Sequence, residues 1–342
     1  MQNVIAASVL TAGLRTTFAD AYRLSTEARL ERLRKVMELG VPSDKLTELY
    51  AYFETAPYPQ RWPRGQSIST KPFDSKSFSV VNYDWAKRIA WHENDREDDQ
   101  TRSLFDMAKS LGDHFATLHE RIFFQMILAA TDADLLPAIP NCPDGADLYN
   151  ASDGSGADRF GVSGGNIVSG SGVASAQAIK TDVLNGIELF RRFQDVEGQP
   201  LWDDSMLDGG GYVLIYNVAN DELVRTALKA TTVLDRLKTD GTSTTDVSVA
   251  SAAAPANIVV EEGLRIELWP TQRITTDDLY LFAVGSPHKA VFQQERRGLR
   301  ETFANVENSD VSRDTKQEYI QFDARYGYGS FLPYQTVQID NP

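Results

Sequence analysis

Cysteine is all but missing from this chain: Cys142 is the only one, so neither an intrachain disulfide nor a multi-cysteine zinc site can form. That thiol lies in Pro140-Asn141-Cys142-Pro143-Asp144, and an acidic setting raises a thiol pKa, which makes it a spectator rather than a nucleophile. Positive charge is short as well, with 34 Lys and Arg against 48 Asp and Glu and a formal net charge of −14. The excess that neutralises phosphates in tight nucleic-acid binding is therefore absent. No apolar run is long enough to cross a bilayer. The opening MQNVIAASVLTAGLRTTF has no basic stretch ahead of its short apolar run, so a secretory leader is not expected.

What remains is ordinary globular material. At 342 residues, 42% hydrophobic and 24% charged, the chain should fold, and into more than one lobe. Residues 25–39 are charged with apolar positions at helical spacing and predict a short amphipathic helix. Residues 57–76, PYPQRWPRGQSISTKPFDSK, hold four prolines and one glycine. No helix survives that, and the segment reads as a long extended excursion. It leads into alternating aromatic and β-branched residues with a break at 82–84, a hairpin pattern.

From 104 to 130 the apolar residues keep a three-four spacing (Leu104, Ala108, Leu111, Phe115, Leu118, Ile122) without proline. They predict one long helix, roughly 45 Å if unbroken at 1.5 Å per residue. Residues 141–175 are dense in Gly, Ser, Asp and Asn and read as an exposed, tolerant surface loop in which Arg159 is open to protease. A helix fits 176–193. A mixed lobe follows, with strands at 212–216, 264–269 and 279–284 and a short helix at 217–228. The C-terminal TKQEYIQFDARYGYGSFLPYQTVQI alternates, breaks at 325–329 and alternates again, predicting two closing strands.

The densest chemistry is in WHENDREDDQ, residues 91–100, where Glu93, Asp95, Glu97, Asp98 and Asp99 crowd beside His92. A metal site, an acid/base pair and a helix start would all look alike here. Neither the His-Glu-x-x-His spacing nor a second nearby imidazole occurs, since the four histidines stand at 92, 114, 119 and 288. The start of the 104–130 helix accounts for the acids through its dipole and unpaired N–H groups. His114 and His119 point to different sides of that helix. No Gly-x-Ser-x-Gly elbow, dinucleotide or phosphate loop, or calcium loop is present. The residues thus offer no catalytic, cofactor or metal site. They offer an architecture instead: an extended segment that cannot bury itself on its own subunit needs a neighbour to cover it.

With those segments in hand, the chain resembles a tailed-phage major capsid protein of the Mu-like prophage major head subunit family. Three stretches carry the resemblance: KSFSVVNYDWAKRIAWHENDREDDQTRSLFDMAKSLGDHFATLHERIFFQMIL, DDLYLFAVGSPHKAVFQQERRGLRETF and FDARYGYGSFLPYQ. It implies an α+β capsid fold with an N-terminal arm (1–55), an extended loop (56–95) and a peripheral domain with a long spine helix (96–135). A Gly-rich connection (136–175), an axial domain (176–310) and returning strands of the peripheral domain (311–342) complete it. The implied function is self-assembly into hexamers and pentamers of an icosahedral shell around double-stranded DNA, without tight binding of that DNA. A scaffold or assembly protease and a decoration protein are the implied partners, and no membrane is involved. The virion, assembled in the host bacterial cytoplasm, is the implied location. Arg61, Trp62, Arg64, Lys71, Phe73 and Lys76 are the candidate inter-subunit contacts. An encapsulin-type shell and a metal-dependent hydrolase built on the acid cluster are the alternatives.

Overall fold

The computed structural model describes residues 7–52, 61–62, 67, 76–98, 103–230, 259, 263–286, 288–304 and 309–342. The chain opens with helix α1 (Ala7–Val36), strands β1 (Met37–Pro42), β2 (Thr47–Tyr52) and β3 (Lys76–His92), and the short helix α2 (Glu93–Asp98). Helices α3 (Ser103–Ala116) and α4 (Leu118–Ile127) follow, then β4 (Ile167–Ser169), α5 (Ala176–Arg192), α6 (Asp204–Gly210), β5 (Tyr212–Asn217) and α7 (Asp221–Lys229). After β6 (Ile266–Thr271), β7 (Leu279–Ala283) and β8 (Val291–Ala304) come α8 (Asp310–Thr315), β9 (Gln317–Ser330) and β10 (Thr336–Asp340).

Two five-stranded sheets result. The first runs β1-β8-β9-β3-β2 and is antiparallel apart from the β1–β8 pair. The second runs β4-β10-β7-β5-β6, with β4 parallel to β10 and β5 parallel to β6. The apolar runs YVLIY and LYLF are explained by burial on both faces of the second sheet. Tyr212, Leu214, Leu279, Leu281, Val337 and Ile339 meet α5 and α7 on one side. Val213, Ile215, Tyr280 and Phe282 meet Ile122 and Phe123 of α4 on the other, in a core that also takes in Tyr326 and Tyr328 of β9. Helix α4 thus ties the two sheets together, each large side chain so buried contributing roughly 1.5–3 kcal/mol. Pro270, inside β6, is tolerated because β6 is an edge strand.

A third core joins α1 to α3 and to the far half of the β3–β9 pair, through Leu14, Phe18, Leu104, Phe115, Trp91 and Phe322. The helices touch at Gly112, where an added Cβ would meet the Phe18 carbonyl oxygen at 2.7 Å. Charged contacts add to this: Arg15–Glu301 at 2.5 Å, Arg29–Glu120 at 2.8 Å and Lys35–Glu267 at 2.6 Å.

Several expectations are corrected. The N-terminal helix begins at Ala7, far ahead of residue 25, and stops at Val36, where β1 takes over. The helix expected over 104–130 is two segments meeting at Thr117 and ending at Ile127. The backbone ladder still crosses the junction, Thr117 N–H to the Asp113 carbonyl and Arg121 N–H to the Thr117 carbonyl. The Thr117 hydroxyl also donates to the His114 carbonyl at 2.9 Å, a local back-bond of the kind that bends helices.

No hairpin turns at 82–84. β3 is one strand of 17 residues that changes partner there, from β2 over 76–81 to β9 over 82–92. β9 likewise runs straight through 325–329, and the break comes at the Pro333–Gln335 turn. The expected division also separated strands differently: β8, placed within 176–310, belongs to the first sheet, and β10, placed with the returning strands, belongs to the second.

Candidate functional site

The β2–β3 ribbon is the outer edge of the first sheet and the base of the segment spanning 53–75. Its register pairs Tyr50 with Phe78 and Leu49 with Ser79, so alternate residues face opposite ways. One face is anchored: the Tyr50 and Phe78 rings lie 5.4 Å apart, Phe292 is 5.2 Å from Tyr50, and Phe331 is 5.8 Å from Phe78. The Tyr50 hydroxyl donates to Gln294 Oε1 at 2.8 Å. The opposite face is open, with Leu49 68% and Val81 39% exposed.

At the partner change, Asn82 is buried and its Nδ2 donates to Ser43 Oγ at 2.8 Å and the Lys45 carbonyl at 2.7 Å. Gln294 Nε2 donates in turn to Asn82 Oδ1 at 3.0 Å and the Val80 carbonyl at 3.2 Å. That amide reaches across β9 because position 327 is glycine: a Cβ there would lie 2.5 Å from Gln294 Nε2. Gly329 serves Phe292 in the same way, at 2.7 Å. The glycines of RYGYGS are close-approach residues within a strand, which is why they mimicked a turn. Asn82 and Gln294 were not singled out in the sequence, and their pairing across more than two hundred positions leaves no local signal.

Of the candidate contacts, Arg61 and Trp62 are described and exposed, Trp62 by 64%. Lys76 begins β3 opposite Tyr52. Arg64, Lys71 and Phe73 lie outside the described residues.

Glu93 to Asp98 of the acidic stretch form a short helix of their own, α2, and Asp99 lies outside the described residues. The Asp95 carboxylate accepts from the His92 N–H at 3.2 Å, the Glu93 N–H donates to the Lys316 carbonyl at 3.0 Å, and Lys316 Nζ stands 3.5 Å from Glu93 Oε2. Those bonds fix the end of β3 to the start of β9. Among the described residues no group of three His, Cys, Asp or Glu side chains is placed to hold a metal ion. His119 is buried, with Nδ1 at 2.8 Å from the Tyr328 hydroxyl, and desolvation lowers its pKa to about 4. Burial pushes the Cys142 thiol up to about 12, inert at any ordinary pH.

The Gly-rich segment corrects the sequence most. Arg159, expected in the open, is 1% exposed. Its Nε and Nη2 donate to the two Asp144 carboxylate oxygens at 2.7 and 3.0 Å, and Nη1 donates to the carbonyls of Asp147 at 2.8 Å and Leu148 at 3.1 Å. Asn166, also buried, donates from Nδ2 to the carbonyls of Leu148, Pro333 and Thr336. The polar loop is therefore a wired plug between the sheets and the C-terminal strand. Beside it lies a cavity of about 330 Å³ bounded by this loop, the turn after α5 and the 331–333 corner.

A bent helix pair laid on a sheet that carries an extended ribbon, joined to a second sheet with its own helices, is the fold of tailed-phage major capsid proteins. Solved structures bear this out. The capsid of an empty GTA particle computed with C5 symmetry matches with a TM-score of 0.55 at 12% identity, over 90% of this chain and 89% of that one. Mycobacterium phage Patience matches with a TM-score of 0.54 at 14% identity, over 100% and 91%. The capsid of the cyanophage P-SCSP1u matches at 0.51 and 10% identity, over 90% and 87%. At such identities the likeness speaks for the fold. Residues 8–174 match the family model described as Mu-like prophage major head subunit gpT. The fold is thus that of a tailed-phage major capsid protein, and the matched residues, just under half of the chain, are similar to the Mu-like head-subunit family. No curated protein sequence matches the chain.

Proposed function

We propose that the protein packs with copies of itself, in hexameric and pentameric rings, into the closed icosahedral shell of a phage head, and that the segment rising from the β2–β3 ribbon lies across an adjacent copy. The observation that carries this reading is the ribbon. One face is locked to the body by an aromatic cluster, while the other shows Leu49 and Val81 to solvent, an apolar strip that a neighbour would cover. Heterologous contacts of this sort close into rings.

In this reading α1 is the arm, and α3, α4 and the first sheet form the peripheral lobe. The second sheet with α5 and α7 forms the axial lobe. The role is structural rather than catalytic. The net charge of −14 suits a container that encloses double-stranded DNA without gripping it. A scaffold or assembly protease during assembly in the host bacterial cytoplasm, and a decoration protein on the finished virion, complete the proposal. Negative-stain microscopy with light scattering on purified protein tests it: closed shells or capsomer-like rings are expected, and monomers alone under every salt and scaffold condition would refute it.

A further inference from the structure

The cavity beside the Gly-rich plug joins two unlike surfaces. Phe160, Leu201, Phe331 and Pro333 give it an apolar floor. Around that floor stand Asp144, Asp153, Asp158 and Asp195 against the single Arg159, whose guanidinium is already committed to Asp144. The net charge of the wall is thus negative, and its volume of about 330 Å³ lies at the lower end of the range of small-molecule and side-chain pockets.

Phe160 holds its place at a cost. Its φ is 57°, a left-handed conformation unusual for a bulky residue. It is kept there by the Gln194 N–H, which donates to its carbonyl at 2.9 Å, and by the Phe193 ring at 5.0 Å. Residues held in such conformations cluster at ligand clamps and other functional sites.

The complementary chemistry is a cation next to a flat apolar ring, and the chain itself exposes that pair at Arg61 and Trp62. Neither residue lines the cavity of its own chain, so the occupant belongs to another copy. We infer that the cavity between the Gly-rich plug and the turn after α5 receives Arg61–Trp62 of a second copy, with the indole on the Phe160–Phe331 floor and the guanidinium against Asp153, Asp158 and Asp195. This rests on the shell reading and adds the receptor to it. Wall carboxylates would steer the arginine in and fix register, and the buried ring would supply most of the hold.

A charge exchange tests the inference. Asp158 is exposed and its side chain caps nothing at the following turn, so Asp158→Arg and Arg61→Glu should both leave the melting temperature of the free subunit unchanged. Each alone should lower shell yield at least about tenfold, the effect of one unfavourable contact repeated at every interface. The double variant Arg61→Glu/Asp158→Arg should recover most of it. Single variants that assemble like the wild type, or a double variant no better than the worse single, overturn the inference while leaving the shell reading intact. Wild-type protein that never assembles defeats the shell reading instead. A second measurement does not depend on assembly: a synthetic peptide of residues 57–66, titrated into unassembled subunits, should bind wild type at least about tenfold more tightly than Asp158→Arg. Equal binding to the two overturns the inference.

Discussion

His119 shows what a single buried side chain contributes. Its ring is enclosed by α4 and β9, against Tyr326 and Tyr328, and desolvation takes its pKa from 6.5 down to about 4. Between those values the unfolded chain holds a proton that the folded one refuses, so the histidine's contribution is complete above pH 6.5 and is lost as pH falls toward 4. The loss should be roughly 2 kcal/mol by pH 5 and roughly 3 kcal/mol below pH 4. Denaturant titrations of wild type and His119→Gln at pH 7.5 and 5 should show the wild-type advantage shrinking by that amount, and parallel curves would mean that the imidazole is solvated when folded. The burial of His119 could be read from its place on an apolar helical stripe. That of Arg159 could not. Its carboxylate partner is 15 positions away, inside a run of turn-forming residues whose composition resembles any solvent loop, and only the closed geometry makes it a core residue.

Element by element, the sequence was clearest where a single periodicity persists. The three-four spacing over α3 and α4 and the apolar runs of β5 and β7 announced themselves because burial acts on every turn or on both faces. Helix α1 was legible only in its charged second half. Its first half rests on α3 at close range through Leu14 and Phe18, a stripe too short to stand out in the sequence. Gly112 tests that contact. In an exposed helix Gly→Ala is stabilising by up to about 1 kcal/mol, but here a Cβ would press on the α1 backbone at 2.7 Å. Gly112→Ala should therefore destabilise the subunit by about 1–3 kcal/mol, the usual penalty of overpacking. Gly209→Ala in α6, where a Cβ meets nothing within 4 Å, should be neutral or slightly stabilising. Thermal melts of the two variants decide it, and equal shifts would mean that α1 yields freely. The misread turns at 82–84 and 325–329 share a cause: polar and glycine residues that serve a partner change and a close approach look, in one dimension, like chain reversals.

For the whole molecule, the four-part plan came from the family resemblance, while the physical reading gave only its premise, an extended segment without a core of its own. The strand exchange between lobes was not legible, because β8 and β10 are ordinary alternating strands and nothing local says which sheet will take them. The premise leads to a kinetic test. Arg61 is exposed in the subunit, and both it and Arg64 stand in a proline-rich stretch without helical or strand periodicity, the kind of site trypsin prefers. Arg159, 1% exposed and bonded through its whole guanidinium, should resist in every state. In free subunits cleavage after Arg61 and Arg64 should come first. Once shells form, the same bonds should be protected, because cutting then requires the segment to lift off its neighbour, an opening whose free energy includes the interface. A mass-spectrometric time course on dissociated subunits and intact shells should show the two rates separating by at least about tenfold, as for an opening that costs about 1.4 kcal/mol more. Equal rates would mean a loop that points away from every copy, and early cleavage after Arg159 would mean that the plug beside the cavity opens before the ribbon does.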